Sequence, residues 1–280
     1  SLLKTSRKML KHGGNINAIE KKGGKAFAIF FDGEDAHEQF VKLTKGRVQS
    51  LINYRMLHDA EKNRISFSEI GVPVIHGLVY RDGDRESFDA AQSGISAMMS
   101  PYFLMMPEGA GVIDPTMVAT LDKNSNKIPM LDHIDAIADR AVKQGVLAVK
   151  DNAAKKLSLF MWNYPPGDKN MGAAFLNVPD SIRDISQALK SDGYTINIKS
   201  SDELIENVAE ILRPFYTRSG LEQLIEKGLS DYLPVKDYVS WLSTLPKSIR
   251  DSIDARWGKA EDNLYVRQVN GEPAFIIPQI

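Results

Sequence analysis

The sequence predicts an α/β fold in which parallel-sheet αβ units are followed by a mostly helical C-terminal region. Three observations carry this expectation. Short continuous apolar runs at residues 26–31, 72–79 and 157–162 suit strands buried on both faces. Stretches with helical periodicity separate the runs, which asks for parallel strands joined by crossover helices in a Rossmann-like or flavodoxin-like arrangement. From residue 201 onward helical patterning dominates.

Each element has its own reason. Leu2, Leu3, Met9 and Leu10 form a weakly amphipathic start that Gly13 and Gly14 are expected to end, since glycine takes the left-handed conformation that closes a helix. Residues 26–31 are the first strand candidate, 48–52 a weaker one and 72–79 a third. Pro73 belongs at the entry of that third strand because it cannot donate to a ladder. Helices are expected between them over 35–43 and 54–62. Residues 84–131 are less regular, with a helix over 85–93 and then a window holding Met98, Met99, Met105 and Met106, four of the ten methionines. Asp132 is expected to cap a helix whose inner face is Ile134, Ile137, Ala138 and Ala141.

The polar stretch 151–156 is the expected boundary between a first αβ domain (1–150), which carries the irregular Met-rich segment, and a second αβ unit (151–280) with a helical insertion and a truncated C-terminus. The second unit opens with a strand over 157–162 and a loop over 163–172. A helix capped by Asp180 follows, carrying Ile182, Ile185 and Leu189 and ended by Gly193, and then a strand over 194–198. Helices are expected over 201–213, stopped by Pro214, and over 220–227, 235–243 and 246–257, before a strand-like run at 275–280.

Composition excludes several classes. With 35 basic and 36 acidic side chains the net charge is −1, so this is no strongly basic nucleic-acid binder. The absence of cysteine excludes disulfides, Cys-ligated zinc or iron–sulfur clusters and a thiol nucleophile. No stretch approaches the roughly 20 apolar residues of a membrane helix. The charged first residues lead into no apolar leader core, and a cytoplasmic location is expected. The missing initiator methionine and the abrupt start suggest an excised piece of a longer protein. His12, His37, His58, His76 and His133 are scattered without metal-ligand spacing, and His76, on a strand candidate, is the one to test. Neither a phosphate-binding Gly-x-x-x-x-Gly-Lys-Ser/Thr loop nor a Gly-x-Ser-x-Gly elbow occurs, so any nucleotide-driven step has to come from another chain.

Three stretches are candidates for chemistry. The 163–172 loop leaves the carboxyl end of an expected parallel strand, where ligands of open α/β sheets bind. Pro165 and Pro166 stiffen it, so Asn163, Tyr164 and Asn170 can hold fixed directions, while Gly167 and Gly172 let backbone approach a ligand. An ordinary strand-to-helix turn would read the same way. Glu108, between the Met-rich stretch and a glycine turn, suits a desolvated acid–base group or a ligand for a hard cation, and equally a solvated turn residue. Met98, Met99, Phe103, Leu104, Met105 and Met106 offer soft surface for a large flat ligand, or simply core.

Several of these segments, in this order, resemble one family. Residues 104–119 (LMMPEGAGVIDPTMVA), the loop within 157–193 (NYPPGDKNMGAAFLNVPDSI), residues 233–263, which include Arg-Trp-Gly-Lys, and residues 273–280 are similar to the large subunit of cobaltochelatase, CobN, and the related H subunit of magnesium chelatase. Asp114 stands where the family usually has glutamate, the first 70 residues match only in helix–strand rhythm, and the family's later Thr-His-Gly motif falls beyond Ile280. The resemblance implies an internal piece of a large ligase subunit of cobalamin-type biosynthesis. Such a subunit binds a tetrapyrrole and a divalent metal, cobalt or magnesium, as substrates, while partner AAA+ ATPase subunits spend the ATP. It implies Glu108 as the base or metal ligand, and Asn163, Tyr164, Asn170 and Trp257 as pocket-shaping or carboxylate-binding residues. It implies that this piece alone is inactive. Two alternatives stay open: a homologue that binds haem or removes its iron during uptake, and a non-catalytic scaffold for the ATPase ring.

Overall fold

A computed structural model describes residues 14–29, 36–92, 94–167, 170–173 and 175–279. The chain divides between Asp151 and Asn152 into two compact units.

In the first unit, α1 (Gly14–Lys21) and α2 (Ala36–Thr44) precede β1 (Leu51–Asn53), α3 (Ala60–Ile70) and β2 (Val74–Val79). Then come α4 (Arg85–Ala90), a single π-helical turn (Pro101–Met105), α5 (Met106–Gly109), β3 (Ile113–Leu121), β4 (Lys127–Pro129) and the long α6 (Leu131–Val149). The four strands form one sheet in the order β1-β2-β3-β4. The first two pairings are parallel, as the helix–strand alternation predicts, and the β3–β4 pairing is antiparallel.

Burial explains the layering. On one face Ile75 and Val118 pack against Ile134, Ile137, Ala138 and Ala141, the stripe expected of α6, and against Ala18 of α1. The spacing of that stripe places all four on one side of a 3.6-residue helix. On the other face Val74 and Val112 meet Leu57, Val41 of α2, and Phe67 and Ile70 of α3. The central β2 is therefore covered on both sides, which is why its sequence is an apolar run rather than an alternation. Pro73 sits just before β2, and its carbonyl accepts the Leu51 N–H at 2.9 Å.

Several local expectations are corrected. Gly14 begins a helix, and the amphipathic start before it lies outside the described residues. Residues 26–29 form no strand, and 30–31 lie outside the described residues. The helix expected over 54–62 starts at Ala60, where Asp59 caps it by accepting the Lys62 N–H at 2.9 Å. The cap of α6 is Met130, not Asp132. Asp132 instead takes two hydrogen bonds from Arg85, at 2.9 and 3.0 Å, and this guanidinium pulls its carboxyl down to about 2. The strand β3 was not expected because Asp114-Pro115 interrupts its apolar pattern. The register between β2 and β3 shifts there, and a bulge accommodates a residue that cannot donate to the ladder.

The second unit holds α7 (Val178–Ser191), α8 (Ser201–Thr217), α9 (Leu221–Glu226), β5 (Ser230–Pro234), α10 (Val235–Ser243), α11 (Lys247–Trp257), β6 (Val266–Val269) and β7 (Glu272–Pro278). Its sheet, in the order β5-β7-β6, is antiparallel throughout, in place of the parallel pairing expected for this unit. Leu221, Leu224, Leu229 and Ile276 form the buried core beside it. Asn177, not Asp180, caps α7, and Gly193 follows its end in the left-handed conformation. Ser200 and Glu203 close a reciprocal capping box on α8. This helix does not stop at Pro214 but runs through it to Thr217, with Arg218 left-handed at its end.

The segments expected as strands at 157–162 and 194–198 form no strand and pair with no strand among the described residues. Just ahead of the first segment, Thr195 Oγ1 donates to the Ala153 carbonyl at 3.3 Å, and the Lys155 ammonium sits 5.8 Å from the centre of the Tyr194 ring. An extended segment becomes a strand only when a neighbour takes its N–H and C=O groups. Phe160 is 94% exposed and Trp162 78%.

This contrast is measurable. In hydrogen exchange on this chain, amides of β2 are the slow set and those of residues 157–162 exchange near the unprotected rate. Equal protection of the two segments contradicts the described pairing.

Candidate functional site

In the second unit the 163–172 loop is built around one side-chain amide. Asn163 Nδ2 donates to the carbonyls of Gly167, at 2.9 Å, and Asn170, at 2.5 Å. Its Oδ1 accepts the hydroxyl proton of Tyr216. The same Tyr216 oxygen accepts the Gly167 N–H at 2.8 Å. Asn170 Nδ2 donates to the Pro166 carbonyl at 3.1 Å, and its backbone N–H to Gly167 at 3.2 Å. Glycine is required twice here. Gly167 has φ +149°, and a Cβ on it would lie 2.7 Å from Asn170 Nδ2. A Cβ on Gly172 would lie 2.7 Å from the Tyr164 carbonyl oxygen.

The structure thus brings Asn163 and Asn170 together and spends both side-chain amides on the loop itself. Tyr164 points outward, 62% exposed. Trp257 ends α11, is 68% exposed, and carries the Arg256 guanidinium 5.3 Å from its ring centre. The sequence does not point to Tyr216, since a proline at 214 ordinarily ends the helix that delivers it.

Glu108 belongs to the first unit. Its short helix is anchored by Pro107, Ala110 and Val112, all buried, and its own carbonyl accepts the Gly111 N–H at 2.8 Å. The side chain itself is exposed, and among the described residues nothing supplies the apolar enclosure that the Met-rich stretch suggests. Phe103 is buried beneath the Arg81 guanidinium, whereas Met98 and Met105 are exposed. Asp114, at φ +52° in the β3 bulge, lies 3.7 Å from Arg140, which also donates to Thr116 at 3.2 Å. Among the described residues no group of three or more His, Asp or Glu side chains is placed to hold a metal ion.

His76, on β2, is 2% exposed. Asn53 Nδ2 donates to the Arg55 carbonyl at 2.9 Å while Asn53 Oδ1 accepts the Arg55 N–H, which fixes the sense of the amide. The contact of Asn53 Nδ2 with His76 Nδ1 at 3.2 Å therefore makes Nδ1 the acceptor, and the ring is neutral with its proton on Nε2. Burial pushes the His76 pKa down to about 4.

The class defined so far is a two-unit α/β chain with a self-braced loop in its second unit and an exposed acidic turn in its first. The sequence profile of the CobN/Magnesium Chelatase family matches residues 5–280, and the chain belongs to that family. It is 26% identical over 267 residues to the chloroplastic magnesium-chelatase subunit ChlH of Oryza sativa, covering 89% of this chain and 18% of that protein. It is 29% identical over 135 residues to the aerobic cobaltochelatase subunit CobN of Pseudomonas aeruginosa, covering 47% of this chain and 10% of that protein. The catalytic subunit of cobaltochelatase from Mycobacterium tuberculosis shares the fold, with a TM-score of 0.70 at 17% identity over 95% of this chain and 23% of that one. The chain spans a quarter or less of the length of these relatives. No helix among the described residues is long and apolar enough to cross a membrane.

The neutral, buried His76 has a consequence for stability. The unfolded chain takes up this proton near pH 6.5, and the folded chain refuses it down to about pH 4. Protons therefore favour the unfolded state in that window. The group costs nothing above pH 6.5, and its penalty grows as pH falls, to roughly 3 kcal/mol at the lower limit. Urea unfolding between pH 7 and pH 4 should show this loss, and His76→Gln should flatten that part of the profile. An unchanged slope in the variant assigns the acid sensitivity to other groups.

Proposed function

We propose that this chain is a section of the large subunit of an ATP-dependent tetrapyrrole chelatase, the subunit that binds the macrocycle and the divalent ion. The observation that carries this reading is the family match along residues 5–280, which contains both the braced loop and the acidic turn. Inserting a divalent ion into a metal-free ring requires removal of two pyrrole N–H protons and a donor that releases the ion to the ring nitrogens. Glu108 suits either task. Its backbone is anchored, and its carboxylate is free to meet a ligand. Asn163 and Asn170 act by fixing the loop, while Tyr164 and Trp257 present ring surface to the substrate. Cobalt or magnesium is the second substrate. Family membership assigns ATP hydrolysis to AAA+ partner subunits, in keeping with the lack of a phosphate-binding loop motif in these 280 residues.

Two experiments test this. In absorbance titrations the 280-residue chain binds metal-free porphyrin but, given cobalt or magnesium and ATP, does not metallate it. Appreciable metallation by the chain alone contradicts the division of labour, and a Soret shift with haem but not with the metal-free ring favours a haem-handling homologue. In the complete large subunit, Glu108→Gln lowers the insertion rate by roughly 10²-fold, with little change in porphyrin affinity. Equal loss of both, or loss of neither, removes Glu108 from the chemistry.

A further inference from the structure

We propose that Tyr216 is the positioning residue of the 163–172 loop, and that its hydroxyl selects the form of the loop competent for ligand. The ligand part rests on the reading that this loop meets the tetrapyrrole; the positioning part rests on the hydrogen bonds alone. Among the described residues Tyr216 is the only side chain from outside the loop that hydrogen-bonds to it.

The argument turns on the two-fold ambiguity of a primary amide. Asn163 faces the carbonyls of Gly167 and Asn170 with its Nδ2, and it makes those bonds only in one of its two orientations. Turned over, it would set Oδ1 against two carbonyl oxygens, with three acceptors and no proton between them. The two carbonyls thus set the sense of the amide, and Oδ1 is left facing Tyr216, whose O–H donates to it. The same oxygen then accepts the Gly167 N–H, so the phenol uses its donor and one acceptor site on two points of the loop four residues apart. Gly167 aims that N–H from a backbone conformation that residues with a Cβ rarely adopt. One hydroxyl therefore ties Asn163 to the Gly167 N–H, and the amide holds two carbonyls.

The placement of Tyr216 makes this testable without damage to the core. It lies in the last turn of α8, beyond Pro214, half-exposed, with its ring edge-on to Phe215 at 5.1 Å. Tyr216→Phe keeps the ring and removes only the oxygen, leaving Asn163 Oδ1 and the Gly167 N–H without this partner.

The test measures three quantities on the 280-residue chain carrying Tyr216→Phe, Asn163→Ala or both. Hydrogen exchange of the loop peptides should quicken roughly tenfold or more in Tyr216→Phe, which removes two hydrogen bonds, with exchange in β2 unchanged. Affinity for metal-free protoporphyrin should fall by a similar factor. The double variant should lose less than the sum of the two single losses, because the Tyr216–Asn163 bond is removed by either substitution. Unchanged loop exchange in Tyr216→Phe overturns the proposal, as does full additivity of the two substitutions. Faster loop exchange with unchanged protoporphyrin affinity overturns the ligand part. If the unaltered chain binds no protoporphyrin, the functional reading above is what fails, and the exchange and additivity measurements still decide whether Tyr216 holds the loop.

Discussion

The side-chain amide of Asn163 makes three hydrogen bonds, and the shape of the loop around it depends on them. A stretch with two adjacent prolines has few N–H groups to offer a ladder, and two glycines leave its backbone free to wander. Side-chain bonds are the remaining means of fixing such a segment. Their benefit is largely entropic: each pins dihedrals that would otherwise sample many states. Glycine at 167 and 172 is then a condition of the bracing, since a Cβ at either position would collide with the atoms the brace brings close.

The first unit rests on a different constraint. Its central strand is buried on both faces, so every residue of β2 packs against something, and a polar group placed there needs a partner. His76 meets this by accepting from Asn53 across the β1–β2 pair, in which the two residues are opposite one another. The neighbouring strand β3 is treated more loosely. At the β3 bulge Asp114 and Pro115 are exposed, and the ladder resumes at Thr116. The acidic turn leads directly into this bulged strand, with its helix packed by buried Pro107, Ala110 and Val112.

Much of this was legible in the sequence, and the failures have physical causes. The inner face of α6 was readable because four apolar residues at helical spacing have only one way to be buried together. Strand β2 was readable because an apolar run with proline at its entry suits few other states. The hairpin of β6 and β7 turns on Asn270-Gly271, both with positive φ, a dipeptide suited to that turn and overlooked amid helical patterning. The continuation of α8 past Pro214 was not readable, because a proline's cost is local while its compensation is tertiary: Pro214 is buried. With that misreading Tyr216 was lost from the site. The loop itself was found from its residue types, but which amide points at which carbonyl is a property of packing.

The unpaired ribbon from Leu157 to Trp162 matters beyond the fold. It holds five apolar side chains in six positions, its main chain pairs with no strand among the described residues, and it contains no proline or charge to deter a visitor. Two such ribbons meeting edge to edge satisfy each other in register, and the arrangement propagates to a third. The sequence that suits this segment to a sheet interior thus makes it a nucleus for concentration-driven assembly whenever no other strand has claimed it, and colloidal behaviour becomes a property of six residues rather than of net charge.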